Sequence, residues 1–214
     1  MSVRIKICGL TRPEDAQAAA ECGADAVGLV FYPPSKRCVS AGQAREIAAA
    51  LPPGMCRVAL FVNETEGKIR EILAQVPVDV LQFHGDEPPE FCRRFGLPYW
   101  KAVRVRAAQD ITAAAARYTD AAALLLDAYA DGSYGGTGRV FDWRLLPENL
   151  PVPWILSGGL NPANVAAALR QTGAAYIDVS SGVERLPGIK SRELMEQFVR
   201  QARAAADKAV KRAP

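Results

Sequence analysis

The sequence predicts a (β/α)₈ TIM barrel, and three observations carry that prediction. Short apolar runs that read as strands alternate with stretches that carry helix signals, and the unit recurs eight times. The runs start roughly 20 to 30 residues apart, the span of one strand, one helix and their loops. The last two runs each open into a Ser/Gly turn, Ser157-Gly158-Gly159 and Ser180-Ser181-Gly182, after strands seven and eight, where barrels of this kind often bind phosphate. An open doubly wound sheet shares the alternation, but no Gly-x-Gly-x-x-Gly follows the first strand.

Taken in order, the strands are expected to begin at Val3, Ala26, Arg57, Asp79, Tyr99, Ala122, Val152 and Tyr176. Thr11 and Glu14 have the spacing of a capping box before an Ala-rich helix that stops at Gly23. Ser40 and Gln43 repeat the device, and their helix ends before Pro52-Pro53. Asn161 is expected to cap a helix with Pro162 at its first position and Gly173 just past its end. Asp142 to Pro147 is short for a helix, so the sixth crossover should be irregular. A last helix from about Ser191 runs into an Ala/Lys/Arg-rich tail, expected to fray after about residue 205.

Composition narrows the function classes. With 214 residues, 50% of them hydrophobic and 23% charged, the chain can bury the core of a single domain. Its net charge of +3 comes from interspersed charges without a basic block, which favours small anions over nucleic acid. No run reaches the roughly 18 apolar residues of a membrane span, and the N-terminus lacks the features of a signal peptide, so a cytoplasmic protein is expected. Five cysteines without a C-x-x-C spacing argue for reduced thiols, and a single histidine argues against a zinc site.

Strand alternation then sorts the side chains. Val3, Ile5 and Ile7 share one face and should meet the helices, which turns Lys6 and Cys8 into the barrel. By the same parity Gln82 pairs with His84, and Tyr176 with Asp178 and Ser180. Cys8, His84 and Asp127 each fall at the C-terminal end of a strand, the catalytic face of such barrels. Closure makes strands one and eight neighbours, so Lys6 and Asp178 are expected to meet below Cys8.

The Ser/Gly turns suit an anion because Gly lets successive N–H groups point one way and a following helix start adds positive dipole. Backbone groups of Gly158, Gly159, Ser180, Ser181 and Gly182 are the candidate phosphate cradle, with Gly136 and Gly138 in the loop after strand six closing over it. A sugar phosphate is the expected substrate class.

Seven segments together resemble the phosphoribosylanthranilate isomerase family of tryptophan biosynthesis: Lys6-Ile7-Cys8-Gly9-Leu10-Thr11, Gly28 to Tyr32 with Ser35-Lys36-Arg37, Leu81-Gln82-Phe83-His84-Gly85, Leu126-Asp127, Gly135-Gly136-Thr137-Gly138, Ser157-Gly158-Gly159-Leu160 and Asp178 to Glu184. The resemblance runs from about residue 3 to 190. It implies an Amadori rearrangement of N-(5-phosphoribosyl)anthranilate to 1-(2-carboxyphenylamino)-1-deoxyribulose 5-phosphate, without a cofactor. It further implies Asp127 as general acid, Cys8 as general base and Arg37 as the clamp for the ring carboxylate.

Those roles set requirements. The acid needs an apolar wall, which Leu124, Leu125 and Leu126 are expected to supply, and a buried thiol needs a cation to ionise, for which Lys6 is the candidate. Gln82, His84, Asp178 and Glu184 are expected to orient neighbours. The weighed alternatives are the related isomerase of histidine biosynthesis, a Schiff-base aldolase using Lys101 and a non-catalytic phosphosugar-binding barrel. Either a monomer or a homodimer is expected.

Overall fold

A computed structural model of the chain describes residues 3–129 and 140–210. Eight parallel strands close into a barrel in chain order: β1 (Arg4–Cys8), β2 (Ala26–Phe31), β3 (Cys56–Phe61), β4 (Val80–Phe83), β5 (Tyr99–Val105), β6 (Ala123–Ala128), β7 (Trp154–Leu156) and β8 (Tyr176–Val179). Closure is made by β8 on β1, with Lys6 in register with Asp178. Around the strands run α1 (Pro13–Glu21), α2 (Ala41–Ala49), α3 (Glu66–Leu73), α4 (Pro89–Cys92), α5 (Ala108–Arg117), α6 (Val165–Thr172) and α7 (Arg192–Val210). A small hairpin, β9 (Glu184–Leu186) and β10 (Ile189–Lys190), lies between β8 and α7 and was not foreseen from the sequence.

Period-two alternation builds two cores. Ile5, Ile7, Val27, Leu29, Leu124 and Leu126 face outward into the layer between strands and helices. Ala26, Val58, Trp100, Ala102, Leu125 and Ile155 fill the barrel's foot, while Cys8, Val30, Leu60 and Val62 cluster at its mouth. Each fully buried aliphatic side chain contributes about 1.5–3 kcal/mol, so a one-residue slip of any strand would be heavily disfavoured.

Local signals succeed where nothing tertiary competes. Ser40 and Gln43 form the reciprocal box, with Gln43 N donating to Ser40 Oγ at 3.2 Å and Ser40 N to Gln43 Oε1 at 2.9 Å. Gly173 ends α6 at φ 64°, a left-handed geometry that favours glycine. The sixth crossover carries only the 3₁₀ turn Trp143–Leu145, irregular as expected.

Two expectations are corrected. The Thr11–Glu14 box does not form: the Thr11 hydroxyl donates instead to the Gly188 carbonyl, Glu14 pairs with Arg12 at 3.1 Å, and Arg12 occupies the cap position. A long-range acceptor has outcompeted a local one. Asn161 caps a single turn, accepting from Ala163 N and Asn164 N at 2.9 and 3.2 Å, and the regular helix starts at Val165 rather than Pro162. The last helix, α7, runs to Val210, and residues 211–214 lie outside the described part.

Candidate active site

The C-terminal ends of the strands gather the buried polar groups. Lys6 Nζ donates to Asp178 Oδ1 at 2.7 Å, the pairing that parity and closure predict, and Ser157 Oγ donates to Asp178 Oδ2 at 3.0 Å. Cys8 stands above this pair, 5% exposed. Its Sγ fits only because residue 28 on the neighbouring strand is glycine, since a Cβ there would lie 2.5 Å from the sulfur.

Burial pushes the Cys8 thiol above its ordinary range, and Asp178 pushes the same way; Lys6 and Lys190 oppose them without winning. Lys6 is the cation that was expected to offset the burial. Its charge is shared with Asp178, which is why it falls short. For Lys6, burial works against the ammonium, yet Asp178 and Cys8 outweigh it and hold the proton more firmly than usual.

Asp127 is the penultimate residue of β6 and lies on the inward face, 6% exposed. Its Oδ1 accepts from Ala128 N at 2.9 Å and its Oδ2 lies 3.2 Å from His84 Nε2. Gln82 Nε2 lies 3.0 Å from His84 Nδ1. An amide nitrogen only donates, so with Gln82 in this orientation Nδ1 accepts and the imidazole proton on Nε2 faces Asp127. The sequence put Gln82 and His84 on one face, but their link to Asp127 needed the barrel. Of the leucines expected to wall Asp127, Leu125 points inward, whereas Leu124 and Leu126 belong to the outer layer.

Between acid and base lie the two Ser/Gly turns. Gly158 has φ +83°, and a Cβ there would sit 2.7 Å from Ala128 N and 3.0 Å from Asp127 Oδ1. At Gly182 a Cβ would strike the Leu160 carbonyl, so the turns interlock. The side-chain amides of Asn161 and Asn164 hold the Gly159 carbonyl at 3.3 and 2.9 Å. Ser180 Oγ donates to the Cys8 carbonyl at 3.0 Å, joining the cradle to the strand that bears the thiol. Among the described residues, the amides of Gly158, Gly159, Ser181 and Gly182 donate to no protein acceptor. Gly136 and Gly138 lie outside the described residues.

Arg37 reaches the same mouth from the loop after β2. A Cβ at Gly9, where φ is +75°, would lie 2.5 Å from Arg37 Cδ. Arg37 Nε and Nη2 donate to Glu184 Oε1 and Oε2, each at 2.7 Å, and these bonds, against the cost of burial, hold the guanidinium above its usual range. Lys190 Nζ adds bonds to Glu184 Oε1 at 2.8 Å and to the Ser180 carbonyl at 3.0 Å. Lys190 was missed, because Gly188-Ile189-Lys190 has no periodicity and only the hairpin turns that lysine inward.

Lys101 faces the outer layer. Its Nζ pairs with Glu87 Oε2 at 3.0 Å and also donates to the Phe83 and Gly85 carbonyls, so the lysine named for the aldolase alternative does not point into the barrel. Among the described residues no group of three or more His, Cys, Asp or Glu side chains is arranged to hold a metal ion.

Comparison with known proteins agrees with this geometry. The profile of the N-(5'phosphoribosyl)anthranilate (PRA) isomerase family matches residues 5–201. The N-(5'-phosphoribosyl)anthranilate isomerase of Neisseria meningitidis serogroup B is 56% identical over 200 residues, covering 94% of this chain and 96% of that protein. The same-named protein of Azotobacter vinelandii is 52% identical over 204 residues, covering 95% and 99%. Among solved structures, the phosphoribosyl anthranilate isomerase of Thermotoga maritima superposes with a TM-score of 0.83 at 40% identity, over 94% of this chain and 99% of that one. A phosphoribosyl anthranilate isomerase in complex with reduced 1-(o-carboxyphenylamino)-1-deoxyribulose 5-phosphate gives 0.81 at 39% identity, with the same coverage. The chain belongs to the N-(5'phosphoribosyl)anthranilate isomerase family.

Proposed function

We propose that this barrel catalyses the Amadori rearrangement of N-(5-phosphoribosyl)anthranilate to 1-(2-carboxyphenylamino)-1-deoxyribulose 5-phosphate, in tryptophan biosynthesis. The observation that carries the reading is one arrangement in a member of this family: a buried carboxyl on β6 and a buried thiol on β1 flank a cradle of backbone amides on the turns after β7 and β8.

In this reading Asp127 gives its proton to the ribose ring oxygen as the C1–O bond breaks, leaving an iminium at C1. Cys8, as thiolate, takes the proton from C2, and that electron pair forms the C1=C2 bond of an enolamine. Reprotonation at C1 and loss of the proton on the 2-hydroxyl give the ketone. Atoms and charge balance within one substrate, so proton transfer suffices for the chemistry.

Binding follows the remaining groups. Gly158, Gly159, Ser180, Ser181 and Gly182 take the phosphate, with Gly136 and Gly138 contributing from the loop after β6. Arg37 takes the anthranilate carboxylate. The array Gln82–His84 fixes Asp127, while Asp178 fixes Lys6 beneath the thiol. The substrate is a free small molecule, the setting cytoplasmic, and the working unit a monomer or a homodimer, which sedimentation distinguishes.

Loss of substrate fluorescence on adding the protein to freshly prepared phosphoribosylanthranilate, with the aminodeoxyribulose phosphate identified by mass and NMR, is the expected result. An inert protein, or one that turns over only the aminoimidazole carboxamide ribonucleotide of the histidine-pathway reaction, overturns the proposal.

A further inference from the structure

The guanidinium that should receive the ligand's carboxylate already holds one. Glu184 occupies the Nε/Nη2 edge of Arg37 in a fork, with the Glu184 side chain 5% exposed. A guanidinium has five N–H donors on two usable edges, so the Nη1/Nη2 edge remains for a second carboxylate. Alone, however, Arg37 and Glu184 would cancel, and an anionic ligand would meet no net charge.

Lys190 changes that sum. Its side chain is fully buried, and its Nζ lies 2.8 Å from the same Glu184 oxygen that faces Arg37 Nε. Two cations and one anion leave the cluster one positive charge, the complement of a single carboxylate. The hairpin is also anchored: Lys190 N donates to Asp15 Oδ2 at 3.0 Å, and Thr11 holds the Gly188 carbonyl. The lysine is therefore fixed where the charge is needed.

We propose that Glu184 and Lys190 are positioning residues that make the site select a carboxylate-bearing ring: Glu184 fixes one edge of Arg37, and Lys190 neutralises Glu184 so that the positive charge of Arg37 is left for the ligand. This rests on the reading that Arg37 takes the ring carboxylate. It goes beyond that reading by placing selectivity in the β9–β10 hairpin that supports the guanidinium.

Binding of two unreactive amines tests it without turnover: 1-(2-carboxyphenylamino)-1-deoxyribitol 5-phosphate and the same compound without its carboxyl group. Wild type is expected to prefer the carboxylated amine by at least about tenfold, the worth of a charged hydrogen-bonded pair. Lys190→Met should reduce that preference about tenfold while changing affinity for the phenyl amine less than about twofold, and Lys190→Arg should retain it. Glu184→Gln/Lys190→Met, which removes the anion together with the cation that neutralises it, should keep the preference within about threefold of the wild type, and it carries the test if Lys190→Met does not fold.

Equal weakening of both ligands by Lys190→Met, the mark of a merely structural role, or a preference lost in the double variant overturns the proposal. A wild type with no preference overturns it together with the Arg37 clamp. Absence of turnover on phosphoribosylanthranilate with the ligand ratios as expected overturns the catalytic reading alone.

Discussion

Lys6 and Asp178 meet at 2.7 Å inside the barrel, with their side chains 0% and 7% exposed. Two desolvated charges are tolerated there because each compensates the other, and removing one leaves the charge of the other uncompensated. Lys6→Met should therefore destabilise the barrel by about 3 kcal/mol, and Lys6→Met/Asp178→Asn should recover more than half of that loss. Urea unfolding midpoints check it, and additive losses in the double variant would refute the coupling.

The same pair governs Cys8. Burial and Asp178 hold the thiol above its ordinary range, while Lys6 favours the thiolate. A base that must be ionised makes kcat/KM rise with pH, so the limb assigned to Cys8 should lie above that of an ordinary cysteine. Lys6→Met removes a charge that favours ionisation, so the limb should move further up. A limb that moves down would contradict this account.

Gly158 combines φ +83° with backbone packed 2.7 Å from where a Cβ would stand, beside Asp127. Gly158→Ala should raise KM about tenfold or more, by displacing an amide of the cradle and crowding the acid. Gly173→Ala is the control: φ is +64°, and the space around it is open. It should cost roughly 1 kcal/mol of stability and leave KM unchanged. Equal KM effects would show that backbone strain alone is responsible.

His84 acts through Asp127, 3.2 Å away. His84→Ala should lower kcat about tenfold to a hundredfold, the worth of a hydrogen bond to the carboxylate that Asp127 becomes as it gives up its proton, with KM changed less. Steady-state rates read the split, and a loss confined to KM would move His84 from the acid to substrate binding.

Legibility in the sequence follows the range of the interactions. Strand starts, the Gly173 stop, the Ser40 box and the Lys6–Asp178 pair were readable because alternation and capping are local and barrel closure supplies the rest. Thr11 misled because its hydroxyl is satisfied 177 positions away. Lys190 was invisible for a related reason, since a two-residue strand carries too little pattern to say which way its side chain turns. Arg37 was legible as a charged loop residue, but its fork with Glu184 joins positions 147 apart.

The most direct measurement is the turnover of phosphoribosylanthranilate by wild type, Cys8→Ser and Asp127→Asn under one set of conditions. The account predicts losses of about 10² to 10⁴ in kcat/KM for each variant, with both proteins folded. Either variant within about tenfold of the wild type would contradict the assignment of base or acid on which the mechanism stands.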